Sequence, residues 1–347
     1  MLTIGQEHFP PAEISTFPWE LHSVTFSADS THLFSGSRGE VGMWRIQDRQ
    51  QFATMAADAC CLAVSKDDER IAAGTWWGGV VVWDGKTHEQ VFTHTQNTTD
   101  VYMIRGVDFS PDSTQLLVAW RDTVSVWDLS SHKQVQILCH GSSRVFAAKY
   151  SPQGDRIATG TRKSVQVWDS RNGCLLMKIK VKVTPRFNTG LLWLNNHLFV
   201  VSQTSIKQFD ASTGSVVSEW PIRHSNGQSC IALPKHGQFI VYSTNHTVML
   251  WDTSTHTTLG AFHHFQELCS VAISPDDRRL AIGEEEGNIT IKNLPCVNAS
   301  IVQINTLFTV NRINTHVRPP KVNKNKTRNL RFLQVTAVPT IHSTPCR

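Results

Sequence analysis

The side chains best suited to catalysis or metal binding are scattered along this sequence in no recognised catalytic pattern. Among its 16 histidines, His88 and His94 lack the spacing of two zinc ligands on a helix. The adjacent His263 and His264 would point to opposite faces of a strand, so they cannot chelate one ion together. Nucleophile-elbow, P-loop, dinucleotide-binding and zinc-protease motifs do not occur. The acidic run at residues 284–286 is the one alternative site, and we expect no enzyme activity, metal or cofactor.

Length and composition are typical of a folded, soluble protein. The chain has 347 residues, of which 40% are hydrophobic, enough to bury one large core or two ordinary ones. It contains no long apolar segment, and its N-terminus does not resemble a secretion signal. We therefore expect a cytoplasmic protein, with the nucleus as an alternative, and no membrane contact. The 8 cysteines include no Cys-x-x-Cys pair, and we expect buried thiols rather than disulfides or metal ligands.

One short unit recurs through most of the chain and must position any site that exists. Residues 116–128, LLVAWRDTVSVWD, are typical of a β-hairpin whose second strand ends in Trp-Asp. Versions of this ending return at a period of about forty residues, which indicates a radial array of four-stranded units. A strand ending in a Ser-x-Asp-like turn precedes most of them. The seven repeat markers are Trp44, Trp83, Trp127, Trp168, Phe209, Trp251 and Lys292.

These repeats resemble the WD-repeat β-propeller family over residues 12–305. The resemblance implies an all-β fold, a seven-bladed propeller of four-stranded antiparallel blades, each packed on both faces by its neighbours. Structural roles between blades are expected for Trp83, Trp127, Trp168 and Trp251. Family members commonly tie each blade with a His, Ser or Thr, Asp and Trp network, the His coming from a Gly-His pair. This chain has no Gly-His pair, so we expect the network to be absent from nearly every blade and apolar packing to dominate.

Two segments could close the ring, and a different kind of sequence follows it. Residues 12–17 or residues 299–303 could complete the last blade, and we favour the N-terminal segment. Residues 306–347 form a basic tail that we expect to be disordered. Residues 311–347 hold 8 of the 33 Lys and Arg and no acidic residue, which leaves 25 basic against 28 acidic residues before them. The tail could contact nucleic acid, remain a solvated extension, or be foreign to the domain.

The turns between the second and third strands of each unit carry the side chains best suited to binding. In the resembled family these turns surround the channel mouth on one face. Trp and Arg dominate binding hot spots because they supply large contacts at low ordering cost. The predicted partner-binding residues are Arg38, Trp76, Trp77, Trp120, Arg121, Arg162 and Lys163. Strand alternation allows at most one of Trp76 and Trp77 to be fully exposed, and residues 284–286 would make the opposite side of this face acidic.

The sequence therefore predicts a non-enzymatic scaffold that presents a propeller face to protein or peptide partners, as a monomer within a larger complex. The alternative is a nucleic-acid-associated protein that uses the basic tail. The sequence does not identify the partner.

Overall fold

A computed structural model describes residues 12–14, 20–95, 102–181, 190–202, 204–222 and 230–294. In these residues, 28 strands form seven four-stranded antiparallel sheets, as the repeat period predicts. We call the sheets blades 1 to 7 in chain order. The described residues contain no helix of the length and apolar character needed to cross a membrane.

Blades 1 to 4 are simple meanders in which strands pair in sequence order. Blade 1 contains β2 (Leu21–Phe26), β3 (His32–Ser37), β4 (Glu40–Arg45) and β5 (Gln50–Ala56). Blade 2 contains β6 (Ala59–Val64), β7 (Arg70–Thr75), β8 (Gly79–Asp84) and β9 (Gln90–Thr95). Blade 3 contains β10 (Ile104–Phe109), β11 (Gln115–Trp120), β12 (Thr123–Asp128) and β13 (Lys133–Cys139). Blade 4 contains β14 (Val145–Tyr150), β15 (Arg156–Thr161), β16 (Ser164–Asp169) and β17 (Leu175–Lys180).

Blades 5 and 6 repeat this order, whereas blade 7 is completed from the other end of the chain. Blade 5 contains β18 (Leu191–Leu194), β19 (His197–Val201), β20 (Ser205–Asp210) and β21 (Val216–Pro221). Blade 6 contains β22 (Ile231–Ala232), β23 (Phe239–Ser243), β24 (Thr247–Asp252) and β25 (Thr258–His263). Blade 7 contains β26 (Leu268–Ile273), β27 (Arg279–Glu284), β28 (Ile289–Asn293) and β1 (Ala12–Ile14).

The N-terminal strand closes the ring. β1 pairs antiparallel with β28, with Ala12 opposite Ile291 and Ile14 opposite Ile289. The preference for the N-terminal segment is therefore confirmed at residues 12–14. The alternative at residues 299–303 and the predicted basic tail at 306–347 lie outside the described residues. Because a strand from the N-terminal segment completes blade 7, strand pairing joins the two ends of the repeat array.

The burial of each strand follows its position in the blade. In blade 3, β12 has four consecutive buried residues, whereas the outermost strand β13 exposes half of Val135 and Ile137. A sheet covered on both faces needs nearly continuous apolar strands, and only its outer edge can alternate with polar residues. This explains why runs such as GVVVWD and QLLVAW lack the alternation of a half-exposed sheet.

The hydrophobic core is divided into seven clusters, each lying between two neighbouring blades. The marker residues Trp44, Trp83, Trp127, Trp168 and Phe209 are buried in these clusters, and Trp251 is partly buried. In blade 7 the marker is Lys292, whose ammonium lies 4.3 Å from the centre of the Phe262 ring in blade 6. Burial lowers the pKa of Lys292, and the aromatic face offsets part of the cost of its charge.

The marker Asp caps the turn that follows it. In blade 3 the Asp128 carboxylate accepts the backbone N–H groups of Ser130 at 3.1 Å and Ser131 at 2.7 Å. The Ser130 hydroxyl also donates to this carboxylate. The hydroxyl bond has the largest effect, and together with the backbone bonds it lowers the pKa of Asp128 to about 2. The corresponding residues that accept two turn amides are Asp84, Asp169, Asp210 and Asp252. The carboxylate therefore satisfies turn amides that no strand can pair.

The Ser-x-Asp turns between the first and second strands form a second repeated device. In blade 3, Ser110 donates to Asp112 and accepts the backbone N–H of Gln115 at 2.9 Å. The same backbone-to-hydroxyl bond occurs at Ser27, Ser65, Ser151 and Ser274. Both devices lie on the same side of the blades, and each blade has at least one of them, so this side is occupied by capping bonds.

The described thiols are all free. Cys60, Cys61, Cys230 and Cys269 are buried, as expected of small apolar residues. Cys139 and Cys174 are exposed because they lie on or beside the outermost strands of blades 3 and 4, which corrects the expectation that the thiols are buried.

We predict that Trp83→Ala lowers the free energy of unfolding by about 3–5 kcal/mol, because it leaves a cavity between blades 1 and 2. Trp77→Ala, at an exposed position in the same blade, should lower it by only about 0.5 kcal/mol. Urea unfolding of the two variants measures the difference. Equal losses would contradict the placement of stability in the interblade clusters.

Candidate functional site

Antiparallel connection places the turns between second and third strands on the same face as the links between successive blades. We call this the rim face; the capping turns described above lie on the opposite face. The sequence-predicted residues all lie in or beside the rim-face turns of blades 1 to 4: Arg38, Trp76, Trp77, Trp120, Arg121, Arg162 and Lys163. The structure thus places all seven on one face, on four consecutive blades.

Trp76 and Trp77 differ in exposure, as strand alternation predicts. The Trp77 side chain is 69% exposed, and its Nε1 donates to Asp58 Oδ2 at 2.7 Å. The other oxygen of Asp58 accepts the backbone N–H of Gly39 at 2.8 Å in the turn of blade 1. Trp76 is partly buried and lies edge-on to His22, with the Arg38 guanidinium 5.3 Å from its ring centre. Trp77 is therefore the exposed aromatic of this region, held in orientation by Asp58.

In blade 3 an aromatic pair orders two arginines. Trp120 Nε1 donates to the carbonyl of Tyr102 at 3.0 Å, and the two rings meet edge to face. The guanidinium carbons of Arg121 and Arg144 lie 4.4 and 5.2 Å from the centre of the Tyr102 ring. Stacked guanidinium groups retain N–H donors at their edges, so the site is suited to planar or anionic acceptors.

A cationic cleft of about 530 Å³ lies between the rim-face ends of blades 3 and 4. We call it the arginine cleft. Its cationic side chains come from Arg105, Arg144, Arg162 and Lys163, and none of the described residues that line it is acidic. Arg105 lies 4.9 Å from the centre of the buried Phe146 ring. Burial, followed by the positive charges of Arg144 and Arg162, lowers the pKa of Arg105.

A buried histidine anchors the loop that carries Ser142, Ser143 and Arg144 to this cleft. His140 Nε2 lies 2.7 Å from Thr159 Oγ1, which accepts Trp168 Nε1–H at 2.9 Å. His140 Nδ1 lies 3.3 Å from the carbonyl of Asp122, an obligate acceptor, which assigns the proton to Nδ1 and makes Nε2 the acceptor from Thr159. Burial lowers the pKa of His140 to about 4, so the ring is neutral at pH 7. The loop is therefore tied to both blades that form the cleft.

This arrangement supplies three members of the network that the sequence predicts to be missing from nearly every blade. Sequence inspection missed it because the His precedes the Gly here, as His140-Gly141. Blade 1 retains a smaller part, in which Trp44 Nε1 donates to the Ser35 hydroxyl at 2.8 Å. At the same distance before the other markers, the chain has Gly74, Val118, Val200, Tyr242 and Gly283. In those blades the marker therefore has no Ser or Thr at this position.

The acidic side of the rim face is smaller than the sequence predicts. Glu284 is buried, and its carboxylate lies 2.7 Å from His264 Nδ1, so it turns into the blade. Only Glu286 is exposed, and Glu285 is partly buried. Among the described residues on this side, the most exposed aromatic is Phe265, at 99%, in the link between blades 6 and 7. No group of three or more His, Cys, Asp or Glu side chains within the described ranges could hold a metal.

Several site residues were missed because sequence reasoning considered only the turns inside each repeat. Tyr102, Arg105, Arg144 and Phe265 lie in or next to links between repeats, which emerge on the same face. Successive turns of an antiparallel sheet alternate between the two faces. The strand order alone would therefore have placed these links on the rim face.

Comparisons with known proteins agree with the fold. The family model described as "WD domain, G-beta repeat" matches residues 51–84, 88–128, 132–169 and 214–252. Each match ends at one of the four Trp-Asp pairs, so the model recognises the least divergent repeats.

Three relatives cover different shares of the chain. Periodic tryptophan protein 2 of Arabidopsis thaliana is 25% identical over 67% of this chain and 21% of its own length. U3 small nucleolar RNA-associated protein 15 homolog of Gallus gallus is 22% identical over 81% of this chain and 52% of its own length. Protein groucho of Drosophila melanogaster is 36% identical over 42% of this chain and 20% of its own length. The matched region thus spans about half or less of each relative.

We predict a loss of stability between pH 6.5 and pH 4 that depends on His140. Its pKa is lowered from 6.5 to about 4, so the neutral ring stabilises the fold above pH 6.5. This stability falls as the unfolded chain takes up the proton, by on the order of 3 kcal/mol at pH 4. Urea unfolding as a function of pH should show a shallower decline in His140→Gln than in wild type.

Cys139→Ser, at the exposed neighbouring position, is the matched control and should keep the wild-type decline. If His140→Gln declines as steeply as wild type, then other groups carry the pH dependence and His140 does not have the assigned role.

Proposed function

The chain belongs to the WD-repeat family of β-propellers, and from that premise we propose that it is a non-enzymatic scaffold whose rim face binds a peptide segment of a protein partner. The observation that carries this proposal is the exposed Trp77 beside a run of ordered arginines on adjacent blades. Such a surface is typical of binding hot spots, because its large side chains are already oriented and lose little entropy on binding.

The side chains on the two faces have different roles, and this difference supports the proposal. Side chains on the opposite face cap turns, as Asp128 and Ser110 do. On the rim face, Trp77 and Arg121 project from turns that the blade cores do not need. The same face also carries a network of contacts that fixes its arginines, which favours recognition of a defined segment rather than nonspecific adhesion.

The partner segment should be acidic near blades 3 and 4. Arg121, Arg144 and Arg162 lie there, and the described lining of the arginine cleft contains no acidic residue. An acidic partner would gain charge-assisted hydrogen bonds from these donors. It would also associate faster at low salt, since complementary charge steers encounter.

We predict that Trp77→Ala combined with Arg121→Ala lowers recovery of the main partner at least tenfold, because both changes remove oriented contact groups. The measurement is quantitative affinity purification of the full chain from its native cells, with nuclease treatment. The variant must keep the wild-type thermal unfolding midpoint within a few degrees.

The matched control combines Phe265→Ala with Arg49→Ala. Phe265 is an exposed aromatic on the far side of the rim face, and Arg49 lies on the opposite face with a left-handed backbone like that of Arg121. This control should retain the partner. Retention of the partner by the Trp77 and Arg121 variant would contradict the proposal.

A second candidate function is association with nucleic acid through residues 311–347. Two observations favour it: the eight basic residues of this segment, and the RNA association in the name of one relative, the U3 small nucleolar RNA-associated protein 15 homolog. The same name favours the nucleus over the cytoplasmic location expected from the sequence.

If the tail binds nucleic acid, the full-length protein should bind RNA with a steep salt dependence, because neutralised phosphates release counterions. Truncation after residue 310 should abolish this binding, and RNA binding retained by the truncated chain would contradict a role for the tail.

A further inference from the structure

Three of the four cations that line the arginine cleft have no carboxylate partner among the residues that the structure describes. Arg105, Arg144, Arg162 and Lys163 line the cleft together with Ser142, Ser143 and Phe146. Within the described residues, Arg144, Arg162 and Lys163 make no ion pair with an Asp or Glu. Converging like charges destabilise one another, so this arrangement becomes favourable when an anion occupies the cleft.

The cations are positioned before any ligand arrives. The Arg105 guanidinium lies over Phe146, and the Arg144 guanidinium lies over Tyr102. The loop that carries Ser142 to Arg144 is fixed at its start by His140, and at its end the Val145 N–H donates to the Arg121 carbonyl at 2.6 Å. Burial and the neighbouring arginines lower the pKa of Arg105, which agrees with a cation enclosed among like charges. A preorganised set of donors binds an anion at little conformational cost.

The number and type of donors match a phosphoryl group better than a carboxylate. A phosphorylated side chain carries about −1.5 to −2 charges at pH 7 and three strong acceptor oxygens. Arg144, Arg162, Lys163 and two serine hydroxyls can satisfy these oxygens together, and guanidinium groups pair with phosphate through two parallel hydrogen bonds. A single carboxylate would leave most of the positive charge in the cleft unmatched.

The surroundings of the cleft favour a peptide over a nucleic acid. Nonspecific nucleic-acid binding uses a basic groove that follows the backbone over several nucleotides. On the rim face the next features outward from the cleft are the aromatic pair of Tyr102 and Trp120, and then Trp77 with Asp58. The positive charge extends from the cleft to Arg121, which is stacked on Tyr102, and the aromatic surfaces next to it are suited to side chains of a peptide.

We propose that the arginine cleft binds a phosphoserine or phosphothreonine side chain of the partner peptide, while the Trp120 and Trp77 region contacts flanking residues. This inference rests on the proposed function of the rim face and adds to it a dependence on phosphorylation.

The test uses the purified full chain and paired arrays of degenerate peptides that differ only in phosphorylation of a central Ser or Thr. We expect at least tenfold preference for the phosphorylated member of a pair. Arg144→Gln combined with Arg162→Gln should abolish the preference, and both side chains are exposed, so folding should be unaffected. Arg49→Gln combined with Arg171→Gln, which removes two exposed charges from the opposite face, should leave it unchanged.

Two competitors, inorganic phosphate and a single-stranded RNA oligonucleotide of matched charge, separate the alternatives. The proposal requires the selected phosphopeptide to bind at least tenfold more tightly than either. Equal competition by phosphate would reveal a general anion site, and tighter RNA binding that Arg144→Gln and Arg162→Gln abolish would reveal a nucleic-acid site. Either result, or absence of any phosphopeptide preference, overturns the proposal.

Failure of this inference can be told apart from failure of the scaffold function. If the native partner is lost on Trp77→Ala with Arg121→Ala but retained on Arg144→Gln with Arg162→Gln and after phosphatase treatment, the rim face binds an unphosphorylated segment. The scaffold function then stands and the phosphate site does not.

Discussion

The fold depends on burial of both faces of every sheet between neighbouring blades. A four-stranded sheet of this size has too little core of its own, and a ring supplies each one with two partners. The markers Trp83, Trp127 and Trp168 fill these interfaces, and the Lys292–Phe262 contact replaces the aromatic in the last one. Because the interfaces lie within the ring, turn residues on the rim face are free to diverge.

Polar interactions are distributed unevenly between the two faces. Capping carboxylates such as Asp128 and hydroxyls such as Ser110 satisfy the turns of the opposite face in blade after blade. On the rim face the described residues include the buried His140–Thr159–Trp168 link, and His140 starts the loop that carries Arg144 to the arginine cleft. The chain has thus kept most of a family network in the blade where an ordered loop supports the candidate site. Through His140, the packing of blade 4 thus fixes the start of the loop that positions Arg144.

Periodicity predicted the architecture well because it depends on residues that every repeat must supply. The marker spacing predicted seven blades, and the segment at residues 12–14 closes the ring as expected. The inward turn of Glu284 could not be predicted, because its partner His264 lies in a link outside the repeat pattern. The arginine cleft was likewise missed in part: Arg105 and Arg144 meet Arg162 only after two blades pack together. Sequence period identifies which turn a residue occupies, but contacts between repeats depend on side-chain packing across blades.

Site-specific photo-crosslinking in the native cell can show whether partners bind the rim face. A crosslinking amino acid would replace Lys163 on the rim face or, as the matched exposed lysine on the opposite face, Lys86. If partners bind the rim face, we expect one dominant partner adduct at position 163 and none at position 86. Adducts with the same partner at position 86, and none at position 163, would contradict it.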